Sequence, residues 1–488
     1  KTNKYKKAQT KLSWKQEAWS TLNSKVYSFY NNVGKLKMSS AYNMRTASVS
    51  DSTKAKVSAA SGATNGVQSL EVLEVAKSDY LTGGKISIKD ASGAEDKTKT
   101  VSSASTLSEL GYTGTGTVEV TNKETGKTTS ISVTGDTKIS DFVKSLSDAG
   151  VKASFDEKNG RLFVSSAKTG TENGFELKSK NADGDKALLA LGLAMTSTVS
   201  DTGAKVNDDN NWSVASNAKI KLNGAEYTSS TNEFAVNGLS VTALAKTSGE
   251  ISVTVATDSE GIYEQVKDLL SQYNSLINEM NKLYNADSAK GYEPLTDDEK
   301  DSMSDTEVEK WEAKVKDSLL RRDDSLESLI SSMTTAMSKG YEVNGKTCYL
   351  TSFGISTLGY MNSAKNEQYA YHINGDEDDS ATSGKEDKLL AAIKEDPDSV
   401  AGFMQQLATG LYDSIDKKMK TSTLSSIFKV YNDKEMASEY SDYTTTIKKW
   451  EDKLSEQEDY YYKKFSAMET ALAKLNSQTS SLSGLFGS

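Results

Sequence analysis

The sequence predicts an α+β, multi-domain protein in which both termini form a long antiparallel α-helical coiled-coil or bundle leg, and a β-rich head of two subdomains is inserted between them. Three observations carry this expectation. Near the start, Leu12, Lys15, Trp19, Leu22, Val26, Phe29, Val33 and Leu36 step by four and three, with one polar lapse at Lys15. Near the end, Leu454, Tyr461, Met468, Leu475 and Leu482 recur every seven residues, with Phe465 and Leu472 filling the alternate seam. Between them, residues 80–255 turn Gly-, Ser- and Thr-rich and alternate as strands do. A helix with one narrow apolar stripe does not offset its ordering entropy alone, so each stripe needs a partner helix. Pairing the termini is the economical answer, with Leu12 beside Leu475, Trp19 beside Met468 and Val26 beside Tyr461. Charge agrees: residues 1–45 carry ten Lys/Arg and one acid, Glu17, whereas 432–488 carry ten acids against seven Lys.

In chain order, 1–45 is expected as the N-terminal leg helix and 46–79 as an extended or strand segment of the leg domain. The head follows at 80–255, with an inner subdomain at about 105–200. Strands are expected at Ile86–Ile88, Val118–Val120 and Ile131–Val133, with a helix capped by Thr137 and stopped by Gly150. Asn159-Gly160 and Asn223-Gly224 mark hairpins, and the apolar segment 187–195 is expected to tuck against the sheets. A helical leg domain at 256–430 includes successive capping boxes, Thr296/Glu299 and Ser304/Glu307. The second opens a helix running from Val308 through Leu319 and Leu326 to Met333. A small hairpin lies within 340–360, and 431–488 is the C-terminal coiled-coil helix.

Bulk composition narrows the function. A net charge of −10 argues against nucleic acid as a partner, and no apolar run is long enough for membrane insertion. One Cys (Cys348) excludes an internal disulfide, and one His (His372) removes most metal and acid–base constellations. No nucleophile–base pair stands out, so no enzyme, catalytic residue, cofactor or metal is expected. Residue 1 is Lys, so the chain is expected to start after the true N-terminus, with no signal peptide. Gly340 to Thr347 satisfies the phosphate-loop pattern GxxxxGK[ST], but a helix precedes it and β-like residues follow, the reverse of the order that a phosphate cradle needs. The acidic runs 208–211 and 376–379 lack Ca²⁺-loop spacing. Glu451 and Glu458 fall on the C-terminal seam and are expected to meet Lys35 or Lys37, or another subunit.

The sequence resembles the flagellar filament cap family, also called hook-associated protein 2. The likeness lies in KAQTKLSWKQEAWSTLNSKVYSF (7–29), VSAASGATNGVQSLEV (57–72) and DSEGIYEQVKDLLSQYNSLINEMNKL (258–283). It is most specific at 292–333, at LTSFGISTLGY (350–360) and at KEDKLLAAIKEDPDSVAGFM (385–404), while 140–170 is similar to a repeat of flagellar axial proteins. The resemblance implies export through the flagellar channel and a homo-oligomeric ring, expected as a pentamer, at the distal, extracellular tip of the filament. There it would guide insertion of flagellin. Implied partners are flagellin, the hook–filament junction protein and a flagellar export chaperone, with host mucin or a cell surface as a secondary contact. The alternatives are a stalked extracellular adhesin or another hook-associated or junction protein.

Overall fold

The α1 helix (Thr2–Leu36) opens a computed structural model that describes residues 1–194 and 211–486. Two compact units emerge: a helical unit of Lys1–Met44 with Ser259–Ser488, and a β-rich unit of Arg45–Asp258. The β-rich unit runs β1 (Arg45–Val49), β2 (Ala55–Ala59), β3 (Gly66–Glu74), β4 (Tyr80–Thr82), β5 (Thr115–Asn122), β6 (Lys127–Thr134), α2 (Ile139–Asp148), β7 (Lys152–Asp156) and β8 (Arg161–Ser165). It continues through β9 (Phe175–Ser179), α3 (Ala182–Ala190), β10 (Asn211–Ser213), β11 (Ala218–Leu222), β12 (Ala225–Ser229), β13 (Glu233–Val236), β14 (Leu239–Ala243) and β15 (Ile251–Thr257).

This unit holds two separate cores, as expected where short strands exceed one small sandwich. In the first lobe, the sheets β1-β15-β3-β11-β12 and β13-β14-β2 enclose Leu70, Val72, Ile220, Val241 and Val253. In the second, β10-β4-β8-β7 and β6-β5-β9 join α2 and α3 around Leu81, Val118, Phe142, Leu162 and Leu188. All pairings are antiparallel. The two-residue turns follow from left-handed conformers: Asn223-Gly224 (φ 51° and 80°) joins β11 to β12, and Asn237-Gly238 (φ 48° and 79°) joins β13 to β14.

Several expectations need correction here. Residues 46–79, expected with the leg, supply β1 to β3 of the β-rich unit. The second core starts at Leu81, ahead of 105. Ile86 and Ile88 are buried but lie outside any strand. Thr137 does not cap α2; its hydroxyl accepts from the Thr134 amide, and Lys138 holds the N-cap position. Met195, at the end of the apolar segment, and 208–210 of the first acidic run lie outside the described residues.

The helical unit resumes with α4 (Ser259–Tyr284), α5 (Asp297–Asp301), α6 (Asp305–Asp317), α7 (Asp324–Ser338), β16 (Tyr341–Val343), β17 (Lys346–Cys348), β18 (Ile355–Thr357) and β19 (Tyr371–Ile373). It closes with α8 (Lys388–Glu395), α9 (Pro397–Met419) and α10 (Asp433–Phe486). Its core gathers Trp19, Val26, Tyr273, Met333, Phe403 and Leu411. The Thr296 hydroxyl and the Glu299 carboxylate cap each other's backbone as predicted, and the Glu307 carboxylate accepts from the Ser304 amide. The helix expected to run from Val308 to Met333 instead breaks between α6 and α7. Arg322 turns left-handed there (φ 53°), and Asp323 caps α7 by accepting from the Ser325 and Leu326 amides.

Candidate assembly interface

The α1 stripe is fully used inside the helical unit. Leu12, Trp19, Leu22, Val26, Phe29 and Val33 are all buried, and α1 packs on α4, α6, α9 and α10. Trp19 stacks on Tyr431, with ring centroids 5.2 Å apart. The polar lapse has a partner too: Lys15 Nζ lies 2.8 Å from Asp323, the residue that caps α7. The ion pair therefore ties α1 to the start of α7.

Two polar devices hold this stripe, and neither leaves a periodic signal in the sequence. Asn23 is buried; its Nδ2 donates to the Phe428 carbonyl (3.1 Å) and its Oδ1 accepts from the Val430 amide (2.9 Å). It thereby fixes the chain just before α10, where Phe428 is left-handed (φ 63°). Tyr30 donates to Asp416 (2.9 Å) and stacks on Tyr412. Burial, then hydrogen bonds to Tyr412 and Asp416, push the Tyr30 phenol above its ordinary value.

The α1–α10 pairing is antiparallel, but the register differs from the expected one. Trp19 sits on Tyr431, Gln9 donates to Thr444 (2.7 Å), Lys6 pairs with Glu451 (2.7 Å), and Lys1 lies over Trp450. The expected neighbours Leu12/Leu475, Trp19/Met468 and Val26/Tyr461 are therefore not formed. Glu451 meets Lys6, while Lys37 lies near Asp413 (3.9 Å). Beyond Leu454 the helix has outrun α1. Leu454, Tyr461, Phe465, Met468, Leu472 and Leu475 are each between 50% and 60% exposed, and Leu482 is exposed as well. The described part of α10 past residue 454 extends roughly 45 Å as a single helix. Its apolar stripe lies along one face and is left half-exposed along that length.

The chemical candidates have plain geometries. Asn344-Gly345 (φ 51° and 77°) is the turn between β16 and β17, so no helix N-terminus follows the phosphate-loop pattern. His372 Nδ1 is 2.6 Å from Asp379, and Lys267 pairs with Asp376 and Asp378, so the acidic loop clasps α4. Among the described residues, no group of His, Cys, Asp and Glu is arranged to hold a metal ion, and no helix is long and apolar enough to cross a membrane.

The model for the C-terminus of flagellar hook-associated protein 2 matches residues 215–477, more than half of the chain, and the N-terminal model matches 1–79. The chain belongs to the flagellar hook-associated protein 2 family. A hook-associated protein 2 of Halalkalibacterium halodurans is 24% identical across 99% of this chain and 94% of its own length. One from Thermotoga maritima is 27% identical over 69% of this chain and half of its own length. The D1-D2-D3 domains of the flagellar cap protein FliD from Escherichia coli superpose with a TM-score of 0.50 at 18% identity, covering 81% of this chain and 95% of that one. At that identity the likeness concerns the fold. The two family models together take in α1 and all of α10 to residue 477, the helices that form the interface described above.

Proposed function

We propose that the chain caps the distal, extracellular tip of the flagellar filament as a homo-oligomeric ring and guides exported flagellin into place. The observation that carries this reading is the half-exposed stripe from Leu454 to Leu475, which lies beyond the reach of α1. Completing the burial of these side chains would contribute roughly 1 kcal/mol apiece. Six such positions supply about 6 kcal/mol per helix, a sum of the same order as the cost of associating two chains, so the stripe acts together with contacts from several copies. A helix of this kind is built to complete its seam at an assembly, where it meets another copy or flagellin. Contacts with the hook–filament junction protein, an export chaperone and a host surface belong to the same reading.

The reading is tested by deleting the gene and imaging the purified protein. Hooks without filaments, flagellin monomers in the medium, and rings in negative stain, with five copies expected, support it. Normal filaments in the deletion strain would move the assignment to a stalked adhesin.

A further inference from the structure

The chain crosses from the first lobe of the β-rich unit to the second at 76–80 and returns at 212–216. No apolar cluster joins the two cores among the described residues; Ala76 belongs with the first, Leu81 and Trp212 with the second, and Ala215 is buried outside both. What lies between is polar. Lys77 and Ser216 bridge, the Gly170 amide donates to the Lys77 carbonyl, Thr169 donates to the Ser230 carbonyl, and the Thr171 amide donates to Asn217.

At the centre sits Asp79, 3% exposed. Its Oδ2 accepts from the Phe175 amide (2.8 Å), at the start of β9 in the second lobe. Its Oδ1 accepts from the Ala215 amide (2.7 Å) and lies 3.4 Å from Trp212 Nε1, both on the returning strand of chain. Its own amide donates to the Ser166 hydroxyl, and the Ser166 amide donates back to its carbonyl. One carboxylate thus ties together the outgoing crossing, the returning crossing and the 166–175 segment that reaches the first lobe. A buried carboxylate is costly unless several N–H groups satisfy it, and here three do. Room for it depends on Gly174, where an added Cβ would stand 2.2 Å from Asp79 Oδ2. The Gly174 backbone itself (φ −69°) would accept any residue, so the close approach alone requires glycine there.

We infer that Asp79 is a positioning residue that locks the two lobes of the β-rich unit at one mutual orientation. Each lobe has its own core and does not need the carboxylate to fold; the angle between them does. This concerns the β-rich unit alone and stands whether or not the chain caps filaments. A fixed angle between lobes is what any ordered assembly of this unit would require.

The test places spin labels on the full chain at Lys144→Cys and Glu226→Cys, one exposed site in each lobe, in a Cys348→Ser background. The parent gives a single narrow distance distribution. Asp79→Ala broadens it, while amide-exchange protection of β3 and β5 stays at the parent level. Asp79→Asn turns an NH₂ toward one of the N–H donors and releases that side, giving an intermediate width. Gly174→Ala, which leaves the carboxylate present but displaced, broadens the distribution as Asp79→Ala does. An unchanged narrow distribution in Asp79→Ala overturns the inference. So does loss of protection in β3 or β5, because Asp79 would then support the folding of a lobe and not its orientation.

Discussion

Truncating one aromatic on each half of the terminal seam separates what the chain buries from what it leaves for a partner. Trp19 is fully buried and stacked on Tyr431, so Trp19→Ala removes a large side chain from a packed core and costs about 3–5 kcal/mol. Phe465 is 57% exposed and lies well beyond the stretch of the last helix that α1 engages through Lys1, Lys6 and Gln9. Phe465→Ala therefore forfeits little burial, and alanine's higher helix propensity returns up to about 0.5 kcal/mol. The net change in the dilute chain is within about 0.5 kcal/mol of zero. Urea unfolding followed by circular dichroism, at concentrations low enough to keep the chain monomeric, measures both. A loss above about 2 kcal/mol for Phe465→Ala would mean that the tail packs on its own chain. A loss below about 1 kcal/mol for Trp19→Ala would mean that the α1 stripe is not the core described here.

Three further outcomes are expected. Cysteines at Gln9 and Thr444 in a Cys348→Ser background cross-link with a short bismaleimide, whereas the pair at Val26 and Tyr461 does not; the reverse result would restore the register read from the sequence. Asn23→Ala leaves the Phe428 carbonyl and the Val430 amide without their partner and costs about 2–4 kcal/mol, measured by the same unfolding assay, with a neutral result excluding the clamp. The acidic clasp on α4 loosens in acid. Asp378 is held below its ordinary 3.8 by the Lys267 ammonium; burial pushes Asp379 up, but the hydrogen bonds from His372, the Ala381 amide and Thr382, with the His372 charge, together bring it below its ordinary value. Carboxylates depressed on folding contribute stability above their ordinary pKa and lose it as pH falls through the folded value. The protection of amides 376–382, taken relative to their intrinsic exchange rate at each pH, is therefore flat down to about pH 4 and falls below it; a loss of protection beginning at about pH 6 would contradict this assignment.

The contrast between α1 and α10 explains what the sequence could tell. Seven-residue spacing identifies a stripe and its face, and the charge imbalance of the two ends favours an antiparallel pair. Neither carries register, because one heptad resembles the next. The register is set by features without period: Trp19 against Tyr431, the Asn23 clamp on 428–430, and Lys15 on the cap of α7. The same limit applies at Leu319 and Leu326, whose helical spacing continues across a break made by the left-handed Arg322. Turns were legible where Asn-Gly demands positive φ, as at 223–224 and 344–345. The assignment of 46–79 depends on partners more than 170 residues away, since β1 and β3 both pair with β15, and local composition does not record such pairings. Asp79 is invisible for the same reason: its donors come from Phe175, Trp212 and Ala215.

The most direct measurement of the central claim is complementation by a chain altered only on the exposed stripe. Phe465→Asp combined with Leu472→Asp places charge on a face that the monomer leaves in water. The purified variant is expected to keep the parent's circular dichroism and urea midpoint, yet to leave a deletion strain without filaments and leaking flagellin. Filaments of normal length from that variant, at normal levels of secreted protein, would contradict the claim that this stripe is where the chain meets its partners.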